Sequence, residues 1–122
     1  MRITIPGLPP RDASPNARVH YMKLANVKRN QKDLMIASVL ELMPMDRPNE
    51  PWEKAHLTIT FRASDKRRRD LDNLLSASKA YVDGLVAAGV IVDDSSANLS
   101  YSLYYEKSKE HAATIFDIKE IV

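Results

Sequence analysis

All seven prolines of this 122-residue chain lie in two short stretches: Pro6, Pro9, Pro10 and Pro15 near the start, and Pro44, Pro48 and Pro51 in the middle. Proline has no N–H to donate and pushes its predecessor out of the helical region, so both stretches read as loops. Neither is long enough to separate domains, and no internal repeat or low-complexity tract is present. The length fits one domain, residues 1–122, with about two-thirds of the unfolded surface buried on folding.

Periodicity fills the intervals. Arg2–Ile5 reads as a short strand with Ile3 and Ile5 on one face. Residues 23–43 read as a helix carrying Leu34, Val39, Leu42 and Met43, ended by Pro44. In 55–62, Ala55, Leu57, Ile59 and Phe61 alternate with His56, Thr58, Thr60 and Arg62, the period of a strand. Residues 71–88 carry Leu71, Leu74, Leu75, Ser78, Val82, Leu85 and Val86 at helical spacing, with Gly89 placed to end the helix. Val90–Val92 is a short apolar extended piece, and 99–105 and 114–119 are further strands. Trp52 is expected to pack at the start of a strand, and Tyr101 and Tyr105, which share a face with two leucines, in the core. The order β-α-β-α-β-β, with a short extended piece before the last two strands, predicts an α+β (mixed α/β) domain with helices packed on one sheet.

Composition excludes several classes. There is no cysteine, so disulfides and cysteine-based zinc sites are ruled out. No apolar run approaches the roughly 18 residues of a membrane span, and no secretory leader pattern opens the chain. A soluble, cytoplasmic protein is the expectation. At 28% charged and 44% hydrophobic residues, the chain is not of disordered type. The three histidines, His20, His56 and His111, show no metal-ligand spacing, and His56 reads as structural.

Charge is unevenly spread. The formal balance is only +2, yet residues 1–32 carry Arg2, Arg11, Arg18, Lys23, Lys28, Arg29 and Lys32 against the single acid Asp12. A second basic block, Lys66-Arg67-Arg68-Arg69, runs directly into Asp70-Leu71-Asp72. Basic clusters attract polyanions, and phosphate neutralisation is the sequence-independent part of nucleic-acid affinity. As an isolated run, such a block is more often a solvated face.

On one continuous helix at 100° per residue, Asp72, Ser76, Lys79 and Asp83 fall within about 60° of one another. They form a polar face apart from the apolar stripe, with Asp70 at the helix mouth. Asp93-Asp94 follows a short apolar piece of the kind that returns alongside such a helix. Converging carboxylates beside a basic block suit Mg²⁺ or Mn²⁺, which want oxygen ligands and relieve the repulsion among acids. Each piece also has a plainer reading. Asp70 can cap the helix, Lys79 and Asp83 can be an ordinary i, i+4 pair, and Asp93-Asp94-Ser95 can be a turn.

The string Arg68-Arg69-Asp70-Leu71-Asp72-Asn73-Leu74, followed by Lys79-Ala80, Asp83 and Leu85 and then by Ala88-Gly89-Val90-Ile91-Val92-Asp93-Asp94-Ser95, resembles the signature of the RusA-type Holliday junction resolvases. These are small bacterial endonucleases, often prophage-encoded. The start is similar too, with a short strand, Pro9-Pro10, Ser14-Pro15-Asn16 and a basic stretch. The likeness touches most of the chain and is specific over roughly residues 67–95.

The resemblance implies a homodimer that binds four-way DNA junctions and cuts them in pairs with Mg²⁺ or Mn²⁺, in recombination and repair, at the nucleoid. It assigns Asp70, Asp72 and Asp94 as metal-binding and catalytic acids and Lys79 as the essential lysine. Lys66, Arg67, Arg68 and Arg69, with Arg18, Lys23, Lys28 and Arg29, would hold DNA. Asn73, Ser76, Asp83 and Asp93 would support the site. One departure stands out. The family pattern places the lysine one helical turn after the second aspartate, where this chain has Ser76, as though three residues were added within 75–78. On a continuous helix Lys79 then lies about 60° round and about 4.5 Å further along. The alternatives are a non-catalytic branched-DNA-binding protein on the same scaffold, a nuclease for other branched DNA, and a structural dimer module.

Overall fold

A computed structural model describes residues 1–122. Its elements are β1 (Arg2–Pro6), α1 (Tyr21–Leu40), β2 (Ala55–Ala63), α2 (Leu71–Ala77), α3 (Lys79–Ala87), β3 (Leu99–Lys107) and β4 (Ala113–Glu120), with single 3₁₀ turns at Arg11–Ala13 and Pro44–Asp46. Four strands form one sheet in the order β1-β4-β2-β3. β2 and β3 run parallel, as they must when a helical crossover joins them. β4 lies antiparallel to both β1 and β2. The domain is α+β, and none of its helices is long and apolar enough to cross a membrane.

The alternation in β2 is realised fully. Ala55, Leu57, Ile59, Phe61 and Ala63 are all buried, while His56, Thr58, Thr60 and Arg62 are half-exposed on the other face. Ile59 sits opposite Leu103 on one side and Phe116 on the other. The helices cover this apolar face, and Met35, Val39, Val82 and Leu85 complete the core. His56 bridges to the hydroxyls of Ser100 (2.6 Å) and Ser102 (2.7 Å) on the neighbouring strand, which gives it a structural role.

Two helical expectations change. α1 begins at Tyr21, where the His20 ring accepts from the Met22 N–H (3.2 Å), and it buries Gln31, Met35 and Val39. Leu34 is exposed instead, because α1 packs on α3 along the Gln31-Met35-Val39 line, and Met43 is exposed outside the helix, which stops at Leu40 before Pro44 is reached. The close approach is made at Gly84, where a Cβ would lie 2.7 Å from Met35 Cβ and 2.8 Å from the Lys32 carbonyl.

The single helix expected over 71–88 is broken at Ser78. The Ser78 hydroxyl donates to the Leu74 carbonyl (2.8 Å), a back-bond that bends helices. Tyr81 N–H bonds Ser78 rather than Ala77 (3.0 Å), which leaves the Ala77 carbonyl without a helical partner. Buried Gln31 of α1 supplies it, its Nε2 donating at 2.7 Å. α3 then ends as expected. Gly89 has φ +81°, its N–H bonds Val86, and Val90 N–H bonds Leu85, both at 3.0 Å, the paired bonds of a glycine-terminated helix. The chain emerges so that Val90 and Ile91 are buried and Ile91 makes a parallel bridge to half-buried Trp52. Tyr101 and Tyr105 are only partly core, since Tyr101 is 36% exposed and Tyr105 is half-buried at the sheet edge.

Candidate functional site

The loop from the end of β2 to α2 carries the basic block, and its geometry separates the four cations. Arg69 is committed within the protein. Its guanidinium makes two bonds to Asp65 (2.6 and 2.9 Å) and one to the Tyr105 hydroxyl (3.1 Å), which in turn donates to the Arg67 carbonyl (3.4 Å). The Arg69 bonds hold the Asp65 carboxyl well below the usual carboxylate range, with a further contribution from the Arg67 N–H. Arg69 therefore braces the loop while still lining the cleft at the start of α2. Lys66, Arg67 and Arg68 are exposed.

Asp70 occupies the position before α2 with extended backbone, yet its carboxylate makes no capping bond. It lies 3.3 Å from Arg68 and is half-exposed. The plain capping explanation for Asp70 is thus not realised. Asp72, in the first turn, is exposed and has no hydrogen-bond or ion-pair partner. Asn73 is half-buried beside Asp70 and faces a cleft of about 430 Å³. Arg67, Arg68, Arg69 and Asp70 from this loop line the cleft together with Pro9, Pro10 and Arg11 from the N-terminal segment.

Beyond the break, Lys79 donates to Asp83 at 3.0 Å, the i, i+4 pair, and also contacts Asp94. Asp94 is thereby brought to the helix that begins one residue after Ser78, and its side chain is four-fifths buried. Asp93 takes the turn role, its carboxylate accepting from the Asp94 N–H (2.8 Å). Ser76 is exposed and lines a second groove of about 510 Å³ with Lys28, Lys79 and Tyr101. Tyr101 has its phenol pushed up, first by burial and then by Asp83. Lys23 is paired with Asp12 (3.3 Å), and Arg18 and Arg29 are exposed on the same basic third.

The donor types of Asp70, Asp72 and Asp94 suit a hard dication. No three His, Asp or Glu side chains are grouped closely enough in this structure to hold an ion. Asp70 is turned to Arg68 and Asp94 to Lys79, so two of the three acids are engaged by intramolecular cations. The sequence therefore locates the acids on neighbouring elements, and the fold distributes them along the α2–α3 side.

Three contributors escaped the reading of the sequence as site residues. Arg11 counted only as one basic residue of the first third. Asp65 has the i, i+4 spacing to Arg69, but on a loop, where that spacing carries no helical meaning. Tyr105 reads as core from its alternation, and only the sheet edge shows its hydroxyl free to reach the loop. No family model matches the chain, and no curated protein matches it.

Proposed function

We propose that this protein is a structure-selective endodeoxyribonuclease of RusA type, which hydrolyses phosphodiester bonds in four-way DNA junctions during recombination and repair. The observation that carries the reading is the cleft at the mouth of α2, where Arg11 and Arg67, neither of them ion-paired, line the same space as Arg68 and the non-capping Asp70. Arginine's planar fork suits phosphate oxygens. Lys66, Lys28, Arg18 and Arg29 extend positive charge beyond the cleft, and such contacts fix a nucleic acid's position without reading its sequence.

Mg²⁺ or Mn²⁺ is the proposed cofactor, and it would supply an activated water at the phosphate. Asp70, Asp72 and Asp94 are its proposed ligands, with Arg68 and Lys79 as the cations that must yield Asp70 and Asp94 to it. A homodimer would supply the two sites that paired cuts require.

The test is cleavage of a labelled junction with and without Mg²⁺. Asp72→Asn should abolish metal-dependent nicking while leaving the fold and junction binding intact. Cutting at the wild-type rate by that variant removes the assigned site, and preference for flap or linear duplex removes the junction assignment. A second reading, a non-catalytic branched-DNA-binding protein, is favoured by the engagement of Asp94 with Lys79 and by the ungathered acids. It predicts binding without nicking under both Mg²⁺ and Mn²⁺.

A further inference from the structure

Part of the lining of the cleft at the mouth of α2 does not come from the basic block. It is built by Leu8, Pro9, Pro10 and Arg11, leading into the 3₁₀ turn Arg11–Ala13. Two consecutive prolines restrict the backbone there, so Arg11 is carried on a stiff support. The Arg11 side chain is exposed and has no carboxylate partner, and the same is true of Arg67 in the same cleft. Arg68 has only a loose contact with Asp70 at 3.3 Å and is 91% exposed. Arg69 is the exception, locked by Asp65 and Tyr105.

The cleft also continues. Ser14 lines both this cleft and the second groove, which holds Lys28 and Lys79 on the other side of α2. Ser14 thus stands between the arginines of the first cleft and Lys28 of the second groove, where Lys79 is paired with Asp83 and Asp94. A lone anion would need only one end of that stretch, whereas a repeating polyanion uses its whole length.

We propose that the cleft is a two-segment phosphodiester grip, in which Arg11 from the proline-bracketed turn and Arg67 and Arg68 from the loop after β2 hold a backbone phosphate of a nucleic-acid strand. The strand passes Ser14 toward Lys28, and Arg69, which also lines the cleft, is held in place by Asp65 and Tyr105. This inference rests on the nucleic-acid reading of function and adds to it a residue, Arg11, and a path. Guanidinium forks from two separate segments of the chain can offer a phosphate bidentate partners, which would orient the strand as well as attract it.

The experiment measures binding of a labelled four-way junction by fluorescence anisotropy in EDTA, across a KCl series, so that cleavage plays no part. Wild type is compared with Arg11→Ala, Arg67→Ala and a control, Lys119→Ala, whose side chain is exposed near the C-terminal end of β4. Arg11→Ala and Arg67→Ala should each weaken binding several-fold and lower the slope of log affinity against log salt by about 1, while Lys119→Ala matches wild type. Wild-type binding with Arg11→Ala indistinguishable from Lys119→Ala overturns the grip and leaves the functional reading standing. Wild-type protein with no salt-dependent DNA affinity overturns the nucleic-acid reading itself and the grip with it. Titration with inorganic phosphate, followed by amide NMR, gives a readout without DNA. Shifts at Arg11, Arg67 and Asn73 support the grip, and a cleft whose amides do not move overturns it.

Discussion

The ammonium of Lys79 contacts Asp83 on its own helix and Asp94 on the loop after Ile91, so a single cation ties the first turn of α3 to the returning chain. The contact depends on the helix break. With Ser78 bending the chain, Lys79 opens a new helix rather than continuing the old one.

Replacing this lysine tests whether it acts as a stand-in cation. Lys79→Met should lower stability, with at most about 1 kcal/mol from the exposed Asp83 pair and a further loss from Asp94, whose mostly buried carboxylate is left without its counter-ion. It should bind Mn²⁺ more tightly than wild type by titration calorimetry, since Asp83 and Asp94 lose their counter-ion. Cleavage should fall by about 10²-fold, the scale for removing one charge-stabilising donor. Mn²⁺ affinity equal to wild type would falsify the competition.

The loop brace has a pH signature. Arg69 depresses the Asp65 carboxyl below its unfolded value, so the stabilisation it contributes is complete above the ordinary carboxylate pKa of about 3.9 and is lost as pH falls below it. Wild type should lose thermal stability progressively on acidification through that window. Asp65→Asn should start less stable at neutral pH and show a shallower decline, as read by melting temperature against pH.

Gly84 is a contact requirement rather than a turn requirement. In Gly84→Ala the new methyl meets Met35 Cβ and the Lys32 backbone carbonyl, neither of which is the flexible end of a side chain. Separation of α1 from α3 should cost roughly 1–3 kcal/mol, the usual range for overpacking. Chemical denaturation checks this, and an unchanged midpoint would show that the helices can part freely.

Gln31 should matter for the same helix pair through polarity. Gln31→Leu keeps most of the volume but leaves the Ala77 carbonyl buried without its donor. The expected loss is about 1–3 kcal/mol. It should be accompanied by faster amide exchange around the α2–α3 junction than elsewhere in the core, which distinguishes a local defect from general loosening.

The sequence by itself determined the element order, the one-sided burial of β2, the glycine end of α3 and the two proline-rich loops. Each of these depends on residues close together along the chain, whose alternation, spacing or missing N–H states the local conformation directly. Tertiary structure decided what the charges do. Arg69 and Arg68 are neighbours of the same type and line the same cleft, yet one is braced by Asp65 and by Tyr105 from a distant strand while the other is almost fully exposed. The break at Ser78 likewise depends on Gln31, 47 residues upstream, which takes the carbonyl that the break sets free. An ion pair or a buried amide bond is chosen by distance in space, and for residues on different elements that distance exists only once the sheet has brought them together.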